Sequence, residues 1–142
     1  MLWSMSQLHL PQYLRDQLGL LANLGYPHET CGILFGKQAH GHVSVQRVEQ
    51  LAHPDPDPAE ELFDLDPIDL IQAGTQAQRH GLEVVGIWRA LPDRAHAPGE
   101  RARRTAWPDY SYLVLSVTPS GVSELHSWRL DRSQFTEEEL QL

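Results

Sequence analysis

The side chains best suited to chemistry in this sequence follow a short apolar run, residues 82–88, whose length and composition are typical of a buried strand. The run leads into a loop that contains Pro92 and Pro98. Catalytic and binding groups often lie on a loop that a strand holds in place. The polar side chains of this stretch could support charge pairing, anion binding or a metal site: Arg89, Asp93, Arg94, His96, Glu100 and Arg101.

A second segment with chemical potential lies earlier in the chain and reads Tyr26-Pro-His-Glu-Thr-Cys-Gly-Ile-Leu-Phe-Gly36. It supplies one carboxylate, Glu29, and the single cysteine of the chain, Cys31. Cys31 precedes Gly32 and an apolar strand pattern, so we interpret it as a small buried side chain rather than a nucleophile. One cysteine also excludes an internal disulfide.

These two segments resemble the signatures of the JAMM/MPN (Mov34/MPN/PAD-1) metallo-isopeptidase family. The earlier segment matches a Tyr-Pro-x-Glu-x-Cys-Gly-x-Leu-x-Gly motif, whose glutamate is the family's general base, and that role maps onto Glu29. Two motifs in the expected order are more specific than either alone. The later segment matches the residues that frame the family's His-Ser-His-Pro and Ser-Glu-x-Asp signature: Gly86, Ile87, Trp88, Pro92, Asp93, Pro98 and Glu100.

The family's zinc ligands are missing from the later segment. Its two histidine positions hold Arg89 and Leu91, its aspartate position holds Ala102, and its serine position holds Gly99. A catalytic zinc ion needs about three protein ligands, and arginine stays protonated and offers no lone pair. The sequence therefore predicts a catalytically inactive member with no metal ligand and no cofactor, in which Glu29 is an idle general base.

Arg89 suggests what replaces the metal. If the family geometry holds, its guanidinium lies within reach of Glu29 and supplies the positive charge that zinc would supply. A buried carboxylate without a cation would be costly. We therefore expect a Glu29–Arg89 ion pair at the former metal site.

A rebuilt metal site elsewhere is the alternative, and it would make the protein a metal-dependent isopeptidase or peptidase. The combination to test is Asp93 with His96 and the distant Glu29. No set of histidines has recognisable zinc spacing. The eight histidines are at positions 9, 28, 40, 42, 53, 80, 96 and 126.

The arginines predict a cationic surface on an acidic protein. Residues 89–104 carry a net charge of +3. Because the whole chain has a net charge of −8, the remaining residues carry −11. Such a surface attracts an anionic partner, although a merely solvated arginine face fits the pattern equally well. The overall charge and the lack of interleaved aromatic residues disfavour nucleic acid as the partner. Nucleic-acid binding is the third functional hypothesis. The candidate binding residues are Arg89, Arg94, Arg101, Arg103 and Arg104.

The resemblance implies a protein partner instead. In active members the substrate groove receives the C-terminal tail of a ubiquitin-like or sulfur-carrier protein, whose carboxylate arginines could bind bidentately. The expected role is thus a protein-binding or scaffold module, paired with such a tail, with an active homologue or with itself as a homodimer.

The hydrophobic periodicity supplies the elements that position these residues. Leucines at 10, 14, 18 and 21 predict a helix from Pro11 that stops at Gly25. Strands are expected at 33–35 and 43–48 as a hairpin, and at 112–117 and 122–130. A second helix is expected from Asp66 and Pro67 to about His80, and a helical turn at 103–107.

The pattern is that of a single α/β domain over residues 1–142, with an acidic, proline-rich loop at 49–66 and an acidic tail at 136–142. The resemblance implies the MPN/JAMM fold, a curved mixed β-sheet flanked by helices with a layout similar to cytidine deaminase. The sequence contains no run of about 18 apolar residues, so no membrane span is predicted. The first residues lack the pattern of a signal peptide, so a cytoplasmic location is expected.

Overall fold

A computed structural model of the chain describes residues 6–51, 67–93, 109–131 and 134–141. Within these ranges the chain forms two helices and a large sheet, so the fold is mixed α/β, as predicted. In chain order the elements are β1 (Gln7–His9), α1 (Gln12–Gly25), β2 (Thr30–Ala39), β3 (His42–Gln50), α2 (Pro67–Arg79), β4 (Glu83–Pro92), β5 (Ser111–Thr118), β6 (Gly121–Asp131) and β7 (Gln134–Gln141).

The strands form one mixed sheet in the order β1-β3-β2-β4-β5-β6-β7. Most neighbouring pairs are antiparallel, whereas β4 and β5 run parallel. The short strand β1 pairs in parallel with both β3 and β7, through Leu8 opposite Val43 and Leu140. The sheet therefore closes on itself as a barrel.

The two helices pack on opposite faces of β2. Leu18 of α1 lies in the same core cluster as Leu34. Ala73 and Ala77 of α2 pack with Phe35, the next residue of the strand, and with Ile33. Successive side chains of a strand point to opposite faces, so the alternating apolar residues of β2 give each helix its own surface to bury.

Both helices and both strands of the first hairpin lie where the periodicity predicts them. The strands extend further than the apolar runs, because backbone pairing carries β2 and β3 through the polar residues on either side of the turn. Gly41 in that turn and Gly81 after α2 have φ angles of 81° and 69°. Glycine adopts this left-handed conformation readily, which explains its use at both turns.

Three boundaries differ from the prediction. β3 continues through Glu49 and Gln50, so the acidic loop begins later than residue 49. β4 continues through Leu91 and Pro92, opposite Ser116 and Val117 of β5, so the loop that was expected to contain Pro92 begins after it. The residues 136–141 that read as an acidic tail lie in β7, which pairs with β6 and β1. Strand pairing extends these elements past the point where apolar residues stop.

Several predictions fall outside the described residues: most of the acidic loop, the helical turn at 103–107 and most of the signature loop. Of the helices that are described, none is long and apolar enough to cross a membrane.

Candidate functional site

The start of β2 and the end of β4 bring the two signature segments together. The strands are antiparallel, with Cys31 opposite Arg89 and Thr30 opposite Ala90. Glu29 directly precedes β2 and therefore lies beside the same end of β4. Nη2 of Arg89 is 2.6 Å from Oε2 of Glu29, and the two side chains are only 6% and 7% exposed. The expected Glu29–Arg89 ion pair is present and buried.

The described neighbours of Arg89 on its face of the sheet belong to a hydrophobic cluster. Arg89 lies on the same face of β4 as Ile87 and Leu91, because every second residue of a strand shares a face. Ile87 and Leu91 pack in one cluster with Tyr112 and Val114 of β5, and Val114 is the strand partner of Arg89. The pair therefore joins the residue before β2 to β4, and removing one partner would leave the other charge buried without its described counter-charge.

A second polar contact joins the same two segments at the surface. The hydroxyl of Tyr26 donates to the carboxylate of Asp93, at 2.9 Å from Oδ1 and 2.7 Å from Oδ2. The hydrogen bond to Asp93, followed by desolvation and by the charge of the same carboxylate, raises the pKa of Tyr26 above its usual value. Tyr26 and Asp93 were not singled out as a pair from the sequence, although each belongs to a signature motif.

The described residues at the family's ligand positions do not fit zinc. The Arg89 guanidinium is a donor only, and it donates to the carboxylate oxygen of Glu29. Leu91 packs in an apolar cluster. In the part of the chain that the structure describes, no group of three or more His, Cys, Asp or Glu residues is arranged to hold a metal ion. Gly99 and Ala102 lie outside the described residues.

The described residues do not bring together the alternative metal ligands, Asp93, His96 and Glu29. Glu29 is engaged by Arg89, Asp93 accepts from Tyr26, and His96 lies outside the described ranges. Cys31 is buried, at 8% exposure, beside Arg89 in the strand register. This agrees with its interpretation as a small buried side chain.

Arg89 does not belong to the predicted arginine surface. Arg89 is 5% exposed and its guanidinium faces Glu29, so it is not available to an external partner. The correction follows from the position of the strand: β4 extends past Arg89, and both of its faces are buried from Val85 to Leu91. Arg94, Arg101, Arg103 and Arg104 lie outside the described residues, and their binding role stays a prediction.

A second buried polar cluster was not predicted at all. Glu138 of β7 is 3% exposed and its carboxylate accepts a hydrogen bond from Ser127 at 2.7 Å and another from Ser6. Nη1 of Arg129 lies 3.5 Å from the same carboxylate. Arg129 also donates to Ser111, Gln38 and the backbone oxygen of Asp109. In the sequence, Glu138 is indistinguishable from the two glutamates beside it.

Comparison with known families and proteins supports the two motifs. A family model described as prokaryotic homologs of the JAB domain matches residues 11–131. A desampylase from Pyrococcus furiosus is 35% identical over 89 residues, which cover 62% of this chain. The match spans 58% of the length of that relative, less than two-thirds of it.

Two solved structures have a similar fold over nearly the whole chain. A protein from Desulfitobacterium hafniense, determined in solution, superposes with a TM-score of 0.80 at 26% sequence identity and covers 94% of this chain and 90% of its own. A protein from Salinibacter ruber, also determined in solution, superposes with a TM-score of 0.71 at 26% identity and covers 96% of this chain and 90% of its own.

Proposed function

This chain belongs to the family of prokaryotic JAB-domain proteins, and we propose that it is a non-catalytic member that serves as a protein-binding or scaffold module. The family match confirms the JAMM/MPN resemblance of the two motifs. The fold we propose in detail is the family's curved mixed sheet flanked by helices, in a layout like that of cytidine deaminase.

The observation that carries the proposal is the buried contact of 2.6 Å between Arg89 and Glu29. A glutamate acts as general base only when it can reach a proton on a water molecule that a metal has acidified. Here its carboxylate already accepts from a permanently charged guanidinium. A cation therefore stands beside Glu29, but it cannot polarise a substrate carbonyl as a Lewis acid or hold a hydrolytic water as a ligand.

The partner we propose is a protein, either an active homologue or a ubiquitin-like or sulfur-carrier protein with a flexible C-terminal tail. The similarity to a desampylase supports a protein partner of this kind. Arg94, Arg101, Arg103 and Arg104 follow directly after β4 in the sequence. Arginine binds a terminal carboxylate through two parallel hydrogen bonds, so these four residues are the proposed contacts.

One experiment addresses catalysis. The purified wild-type protein is incubated with zinc, dialysed and measured for bound metal, and it is assayed on an isopeptide-linked ubiquitin-like conjugate. We expect no stoichiometric zinc and no cleavage. Stoichiometric zinc together with cleavage would overturn the proposal. That result would favour the alternative, a metal-dependent isopeptidase with a rebuilt site, for which the desampylase relative is the supporting observation.

A second experiment addresses the partner. A synthetic peptide ending in Gly-Gly with a free carboxylate is compared with its C-terminal amide by calorimetry. We expect the amide to bind about tenfold more weakly or worse, because a charge-assisted hydrogen bond is lost. Replacing Arg94, Arg101, Arg103 and Arg104 with alanine should weaken binding of the free-acid peptide to the level of the amide. Equal binding of both peptides would remove the carboxylate from the proposal, and salt-dependent binding of an oligonucleotide would favour the nucleic-acid reading.

A further inference from the structure

We draw no further inference here: the strongest candidate, the exposed apolar face of α1 with the groove that it forms against β5 and β6, carries no proposal because nothing in the part of the chain that the structure describes shows what covers it.

Discussion

The hydroxyl of Tyr26 lies 2.7 Å from a carboxylate oxygen of Asp93, and this surface contact ties together the same two segments that the buried Arg89–Glu29 pair joins. The Tyr26–Asp93 hydrogen bond is exposed to solvent, whereas the Arg89–Glu29 ion pair is buried. The two signature segments are therefore linked by one surface contact and one buried contact.

The exposed contact predicts a stability change at alkaline pH. The pKa of Tyr26 is raised in the folded state, above an unfolded value near 10, so the folded protein binds more protons than the unfolded protein between the two values. Stability is therefore fully present below about pH 10 and falls as pH rises through the folded pKa.

The variant Tyr26→Phe should remove part of this alkaline decline, measured as urea midpoints from pH 8 to 11. Tyr110 also has a raised pKa, from burial and from the charge of Asp109, and contributes to the same window. Tyr110→Phe is therefore measured in parallel, so that the contributions of the two tyrosines are separated. A wild-type protein and a Tyr26→Phe variant with identical pH profiles would contradict the assignment.

The buried pair predicts a large effect of Arg89→Ala. The substitution removes the cation beside a buried carboxylate, and breaking a buried pair in this way costs about 3–5 kcal/mol. The melting temperature should fall by about 10–17 °C. The double variant Arg89→Met with Glu29→Gln should recover much of the loss, since it removes both charges. An unchanged melting temperature for Arg89→Ala would refute a structural role for the pair.

Restoring the family's ligands predicts a gain of metal binding. The triple variant Arg89→His, Leu91→His, Ala102→Asp replaces the three positions that lack donor atoms. We expect it to retain about one zinc ion per chain after dialysis, measured by elemental analysis. The control is Arg89→His alone, which supplies a single new ligand and should retain none. If the triple variant is folded by circular dichroism and holds no zinc, the mapping of the ligand positions is wrong.

The buried glutamate of β7 predicts a difference between neighbours in one strand. Ser127→Ala should cost about 1–2 kcal/mol, because it takes a donor from the buried carboxylate of Glu138. Glu138→Ala should cost more, since it removes the group that Ser6, Ser127 and Arg129 approach. Glu139→Ala, on the exposed side of the same strand, should stay within about 0.5 kcal/mol. Equal costs for Glu138→Ala and Glu139→Ala in urea unfolding would contradict the burial of Glu138.

Two features could be predicted from the sequence alone: a helix with regularly spaced leucines, and an ion pair at a position where the family has a metal ligand. The leucines of α1 place that helix correctly, and Arg89 at a former ligand position was enough to predict its contact with Glu29. The same residue was also assigned to a binding surface. Which assignment holds depends on whether β4 is covered on both faces at Arg89, and that becomes known only from its place between β2 and β5 and from its burial in the structure.

The strands that close the sheet could not be predicted. β1 has three residues and one of them, Leu8, is buried, which is too short for a periodic signal. β7 contains three consecutive glutamates, of which Glu138 is buried and the other two are exposed. Propensity disfavours such a strand. Hydrogen bonds from two serines and the proximity of Arg129 compensate for its burial, and these partners come from segments far apart in the sequence.

The three residues of β1 lie between β3 and β7, and their pairing with both strands closes the barrel. Without Gln7–His9, the first residues of β3 and the last residues of β7 would each present bare backbone donors and acceptors, the kind of edge that recruits strands from other molecules. An affinity tag or a truncation that disturbs this short strand would accordingly favour aggregates over the folded barrel, even though it leaves every residue of the two signature segments in place.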